Sequence, residues 1–296
     1  MVLLRCSCQT HEVSEQPAGQ LHRPEVWSLV APGYDDAITP IMRPYAITTL
    51  DLLGLTGGRA RLRLLDVAAG TGVVAIEAAR RGAEVLATDF APGMVEVMRR
   101  RLAAEGLDAR AEVMDGQALG LEDESFDLGT STFGLIFFPD PLVGLRELSR
   151  VLRPGGRVGI ASWDMTRIGL PQLLGAALAR AVPDLPAPVP PPWAHLCEAA
   201  GLARALRAAG FTEVAVHQVT HHSRLPDPGL FFRHLPDWTP PLRPLFASLP
   251  AEAIDRAAAA FGDVVREHST SEGMPQAALI GIGTRADTAA KYSTAP

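Results

Sequence analysis

The sequence predicts an α/β protein built on a largely parallel sheet with helices on both faces, and three observations carry that prediction. Residues 62–90, LRLLDVAAGTGVVAIEAARRGAEVLATDF, hold an apolar run, a glycine turn, a helical pattern and a second apolar run ending in an acid. This is the order of one βαβ unit of a nucleotide-binding sheet. The runs LRLLDV and RVGIAS are nearly continuous apolar stretches, as expected of strands covered on both faces. From residue 62 onward, strand and helix signals alternate, the pattern that gives parallel crossovers.

Taken in order, residues 26–53 read as two short helices broken by Pro32-Gly33 and Pro44. Strands are expected at 62–67, 84–88, 109–114, 126–132 and 156–162, with helices at 73–81, 92–105 and 140–152. Pro154-Gly155-Gly156 marks the turn into the fifth strand. A helix at 168–181 precedes PDLPAPVPPPW, too rich in proline to be helical. A helix ending at Gly210 leads into a strand marked by Val214, Val216 and Val219. Helices at about 227–235 and 251–267 come before a last strand, QAALIGIGTR. Residues 1–25 read as a flexible leader and 286–296 as a frayed tail, around a single domain of 26–285.

At 296 residues the chain is long enough for a large core, and 47% hydrophobic with 20% charged residues is ordinary for a globular protein. A net charge of −6, with arginines scattered rather than striped, argues against a nucleic-acid partner. Cys6, Cys8 and Cys197 complete neither a disulfide framework nor a zinc site, which fits a reducing cytoplasm. The opening MVLLRCSCQTHEV lacks the apolar core of a signal peptide, and no stretch is long enough to span a membrane. Monomer and homodimer are both open.

NAD and S-adenosylmethionine (SAM) both use such a unit. Gly70, Gly72 and Ala75 satisfy G-x-G-x-x-A, a fingerprint permitted for dinucleotides. Asp66, at the end of the first strand, favours SAM: a carboxylate there repels a pyrophosphate but suits a ligand carrying a sulfonium and an ammonium. Asp89, ending the second strand, suits the ribose of either cofactor, and Asp115-Gly116 after the third suits an adenine amino group. Each acid has a plainer reading. Asp66 and Asp89 could cap the helices that follow them, and Asp115 could be a turn residue.

The segments DVAAGTG, TDFAPGM, MDGQALGLEDESFDLGTSTFGLIFFPDP and ELSRVLRPGGRV resemble, in order and spacing, successive motifs of class I SAM-dependent methyltransferases. They are most similar to the ubiquinone/menaquinone-biosynthesis C-methyltransferase type, over roughly residues 26–165. The resemblance implies a Rossmann-like seven-stranded sheet of order 3-2-1-4-5-7-6, last strand antiparallel, helices on both faces and a helical lid. It divides the domain into a SAM-binding core (62–163), acceptor-binding insertions (164–275) and the last strand (276–285). It implies that Asp66, Ala68, Gly70, Thr71 and Gly72 wrap the methionine part of SAM. Asp89 then takes the ribose, Phe90 and Met94 flank the adenine, and Asp115, Gly116 and Gln117 meet its edge. Thr132 and Phe133 lie near the sulfonium, and Tyr34 closes over the cofactor. After the fourth strand the chain lacks the asparagine-arginine pair often seen in the quinone enzymes.

Methyl transfer is an in-line displacement, so the protein's main task is alignment, with a general base where the acceptor must lose a proton. Candidate bases are Asp164, after Ser162-Trp163, and His195, His217, His221, His222, His234 and His268. Asp164 is the best placed, although it could equally be a turn acid. No histidine spacing suits a metal. Phe137, Phe138, Trp163, Trp193, Phe231, Phe232 and Trp238 mark an apolar pocket for a small-molecule acceptor, or simply the packing of helices on a sheet. The expected activity is methylation of a small, largely apolar molecule at C, O or N. The Ala/Arg/Pro/Gly-rich composition fits secondary-metabolite tailoring in a high-GC bacterium. The alternatives are a SAM-binding protein that does not methylate, cyclase-like or regulatory, and an NAD-dependent oxidoreductase.

Overall fold

A computed structural model describes residues 21–57, 61–186 and 192–287. Most of the leader, the tail after Asp287, Cys6 and Cys8, and the centre of the proline-rich loop lie outside these. Two N-terminal helices, α1 (Pro24–Ala37) and α2 (Thr39–Leu52), precede the alternating core. Pro32 and Pro44 lie inside these helices rather than breaking them, and the break falls at Ile38. Packing overrides the cost of an interior proline here: Val30 and Ala31 of α1 and Tyr45 and Ala46 of α2 are all buried.

The core runs β1 (Arg63–Val67), α3 (Val73–Arg80), β2 (Glu84–Asp89), α4 (Pro92–Ala104), β3 (Ala109–Val113), β4 (Phe126–Thr132), α5 (Pro141–Val151) and β5 (Leu152–Trp163). Gly72 starts α3 from a left-handed conformation (φ 87°), and Pro92 and Pro141 occupy first helical positions, where a missing N–H costs nothing. Strand β5 begins at Leu152, four residues earlier than expected. Pro154-Gly155-Gly156 forms a bulge, because Phe126 pairs with Leu152 and Leu128 already pairs with Arg157.

The second half supplies α6 (Leu170–Ala181), α7 (Ala199–Ala208), β6 (Phe211–Ser223), α8 (Pro228–Trp238), α9 (Arg243–Ala247), α10 (Ala251–His268) and β7 (Met274–Arg285). The seven strands lie in the order β3-β2-β1-β4-β5-β7-β6, with β7 antiparallel to both neighbours. Period-two alternation splits the core between the two faces: Leu64 joins the cluster under α2, α3, α6, α8 and α10, while Leu65 joins the one under α5 and α7. The parallel strands therefore all point their carboxyl ends to one edge, where the order reverses between β1 and β4. Such a switch point opens a crevice suited to a ligand.

Candidate functional site

A cleft opens at that switch point, with about 150 Å³ of room for water-sized molecules, in the concave setting where small-molecule ligands are held. Its floor is the turn between β1 and α3. Ala68 (φ 53°), Gly70 (φ 57°) and Gly72 (φ 87°) all adopt left-handed conformations, which reverse the chain tightly. Glycine takes this at little cost and alanine does not, so Ala68 is a point of backbone strain on the cleft wall. Phe133 (φ 60°), just after β4, is a second.

Asp89 ties the turn to β2. Its Oδ2 accepts a hydrogen bond from Gly70 N–H and its Oδ1 one from Ala91 N–H, both at 2.9 Å. Its plainer reading as the cap of α4 does not hold, because Ala91 is that helix's N-cap and carries no side-chain cap bond; the Asp89 side chain faces the cleft. Burial pushes its carboxyl up to about 6. Tyr34 of α1 stands over the same wall, and burial together with the Asp89 charge raises its phenol to about 12.

At the far end, Phe90, Met94, Asp115, Gly116 and Gln117 line the cleft. Asp115 Oδ1 accepts from Gln117 N–H at 2.9 Å, which is the turn it could have been, and leaves Oδ2 for a ligand. Gly116 is in close contact: a Cβ there would lie 2.5 Å from Phe138 Cζ, so only glycine keeps this wall in place. Thr71, Thr132, Phe133, Phe137 and Phe138 also reach the cleft.

Other expectations need correction. Asp66 does not line the cleft. It is 1% exposed, accepts from Thr130 Oγ1 at 2.8 Å, and leaves Oδ2 buried without a hydrogen bond among the described residues, near Ala75 at the start of α3. Desolvation, reinforced by Asp89, pushes its carboxyl up to about 7. Gly72 backs onto Met98 rather than the cleft. Asp164 is a turn acid: Oδ1 accepts from Thr166 N–H and Oγ1, Oδ2 from Gln218 Nε2, and it is 2% exposed. Trp163 packs behind Phe133 (ring centroids 4.4 Å) and Trp193 behind Phe137 (6.2 Å). Phe231 packs on Trp238, which lies against Gly33, and Phe232 is fully buried. Trp163 and Trp193 thus back the wall, while Phe232 packs among the helices on Phe246 and Phe261.

The histidines put forward as bases also lie elsewhere. His221 meets Thr48 Oγ1 at 3.0 Å, His222 meets Glu272, His234 meets Asp237, and His268 meets the Val264 carbonyl. Among the described residues no group of His, Cys, Asp or Glu could hold a metal, and no helix is long and apolar enough to cross a membrane.

The N-terminal helices and the turn before them contribute more than expected. His22, Trp27, Thr39 and Met42 line the cleft, with Trp27 5.0 Å from Phe137. The signal was present: Trp27, Val30, Ala31 and Tyr34 follow the i, i+3, i+4, i+7 spacing of one helix face.

The lining contains carboxylates, threonines and aromatics but neither lysine nor arginine among the described residues. Gly70 N–H, which a pyrophosphate would need, is already given to Asp89. This donor set fits a phosphate-free adenosine ligand with a cationic arm and does not fit a dinucleotide.

Comparison with known proteins agrees. A methyltransferase domain family matches residues 64–156. An uncharacterised protein of Mycobacterium tuberculosis is 37% identical over 123 residues, which is 42% of this chain and 44% of that protein, so the chain spans less than half of its length. In structure, the [4+2]-cyclase SpnF shares the fold with a TM-score of 0.51 at 22% identity, over 83% of this chain and 81% of the cyclase. A demethylmenaquinone methyltransferase of a Mycobacterium species (strain KMS) is 36% identical over 169 residues, 53% of this chain and 71% of that enzyme. Matched to that extent, and with the sheet order and glycine turn in place, the chain belongs to the class I SAM-dependent methyltransferases.

Proposed function

We propose that the protein transfers a methyl group from SAM to a small, largely apolar acceptor seated against Trp27, Met42, Phe133 and Phe137. The observation that carries this reading is the apolar wall these residues build on the same cleft as Asp89 and the glycine turn. Bound there, SAM supplies an electrophilic methyl on a cationic sulfur. The chain's own residues hold and align. Asp89 and Asp115 present acceptors for the ribose and the adenine edge, and the turn around Gly70 brings backbone close to the ligand. The strained Ala68 and Phe133 fix the wall between cofactor and acceptor. Alignment of this kind is worth roughly 7–11 kcal/mol of barrier.

For an acceptor that must lose a proton, His22 is the imidazole on the cleft wall, whereas Tyr34, raised to about 12, stays protonated at neutral pH. The demethylmenaquinone methyltransferases among its relatives act on a quinone. After β4 the chain lacks the asparagine-arginine pair often seen in the quinone enzymes, which argues for an acceptor other than a quinone. Secondary-metabolite tailoring by a cytoplasmic enzyme belongs to the same proposal and is supported by composition.

Incubation with methyl-labelled SAM and a panel of phenols, quinols and indoles tests it. Label is expected on at least one apolar aromatic acceptor and on none of a parallel set of sugars and nucleotides. Tight SAM binding with label on no acceptor would instead support a SAM-binding protein that does not methylate.

A further inference from the structure

Arg101, in the last turn of α4, does not line the cleft, yet its guanidinium touches both elements that enclose the cofactor end of it. Its Nη1 donates to the Thr71 carbonyl at 2.8 Å and lies 3.3 Å from Thr71 Oγ1, on the glycine turn. The same atom lies 3.0 Å from Asp35 Oδ1 on α1, next to Tyr34. Neither side chain is far out in solvent, at 26% and 22% exposed, so the pair is less screened than a surface ion pair. Asp35 Oδ1 is buried and completes no hydrogen bond among the described residues, so its contact with Arg101 is one of charge rather than direction.

A second link closes the circuit. Thr71 Oγ1 is 2.7 Å from Thr39 Oγ1 at the start of α2, and Thr39 Oγ1 lies 3.5 Å from the Tyr34 carbonyl. Tyr34, Thr39 and Thr71 all face the cleft. The other half of α1 is fixed independently: Gly93 N–H donates to Ser28 Oγ at 3.0 Å, and a Cβ on Gly93 would come within 2.7 Å of Ser28 Cα. Helix α1 is thus seated on α4 by close packing near Ser28 and by the apolar cluster of Val30, Ala31, Met94 and Val97, against which Tyr34 packs, while the Arg101 guanidinium adds the polar contact that continues from this end of α1 to the glycine turn.

We propose that Arg101 is a positioning residue that fastens the Tyr34 end of α1 to the glycine turn, so that cofactor affinity and the seating of α1 depend on each other. Ligand contact with the turn stabilises the seated helix, and the seated helix holds Thr71 and Tyr34 where the ligand meets them. The inference rests on the reading of the cleft as a SAM site.

Calorimetric titration with S-adenosylhomocysteine, paired with amide hydrogen exchange over residues 34–42, tests it. Arg101→Met is expected to weaken binding about tenfold and Asp35→Asn about threefold, with the double variant no weaker than Arg101→Met, because both act through one contact. Arg101→Lys, whose ammonium offers donors to the same acceptors, is expected to recover most of the loss. In the wild type the ligand slows exchange at 34–42; in Arg101→Met that response is lost while exchange in β4 is unchanged, which a general loss of stability would not produce. Arg101→Met binding as tightly as wild type, with the same protection of 34–42, would overturn the proposal. If Arg101→Met does not fold, Asp35→Asn, which keeps the bonds to Thr71, carries the same test. If the wild type itself binds no S-adenosylhomocysteine, the cofactor reading fails instead. Exchange at 34–42 without ligand, expected faster in Asp35→Asn, then decides the fastening alone, and an unchanged rate overturns it.

Discussion

Asp89→Ala is expected to lower affinity for S-adenosylhomocysteine about 100-fold or more. The carboxylate accepts from Gly70 N–H and Ala91 N–H and faces the cleft, so its loss frees two backbone donors and removes the proposed ribose acceptor. Hydrogen bonds to a charged group are worth about 1.5–3 kcal/mol each, so two from the ribose hydroxyls of the bound ligand reach the roughly 2.7 kcal/mol that a 100-fold change requires. Asp89→Asn keeps the shape and one acceptor, and is expected to lose less. Calorimetry on both variants checks this; an affinity for Asp89→Ala within threefold of wild type would remove Asp89 from the site.

The second large effect belongs to Asp66 and is read from stability. Its carboxyl is held up at about 7, against 3.8 for the free side chain, chiefly by burial. The unfolded chain therefore releases this proton near pH 4 and the folded chain only near 7. Between those values the folded state binds more protons, so stability is fully present below about pH 4 and falls as pH rises toward 7. A shift of that size corresponds to roughly 4 kcal/mol at 1.36 kcal/mol per pH unit. Asp66→Asn abolishes the titration but places an N–H where Oδ2 now lacks a partner, at a cost of about 1–3 kcal/mol. The variant is expected to be less stable than wild type at pH 4.5 and more stable at pH 8, by about 1–3 kcal/mol. Urea unfolding at the two values reads this directly, and parallel shifts at both would contradict it. Asp89, raised to about 6, titrates in the same direction and is common to both proteins.

The glycine turn and the positions of the strands along the chain were legible because each leaves a local mark: left-handed positions call for glycine, and strands covered on both faces are continuously apolar. The order of the strands within the sheet leaves no such mark and followed only from the family resemblance. Asp66 was legible as a strand-end acid but not in its direction. The period of two puts it on the Leu64 side of β1, beneath α3, and not into the cleft with Asp89. The electrostatic argument for a cationic ligand thus passes from Asp66 to Asp89, Asp115 and the absence of lysine and arginine from the described lining. Asp164 looked catalytic because it ends a strand at the cleft edge, but its oxygens are taken by Thr166 and Gln218, and the latter comes from β6, 54 residues away. Trp163 and Trp193 were misplaced for a related reason: sequence shows that aromatics gather near a site but not which of them form its inner layer. The role of α1 and α2 was hidden by Pro32 and Pro44, whose local preference for a break yields to the burial of Ala31 and Tyr45.

The central claim is that the cleft is shaped for a phosphate-free adenosine ligand. Side-by-side calorimetric titration of the wild-type protein with S-adenosylhomocysteine and with NAD tests it most directly. Saturable heat from S-adenosylhomocysteine, one ligand per chain, and none from NAD is the expected result; saturable binding of NAD without binding of S-adenosylhomocysteine would contradict it.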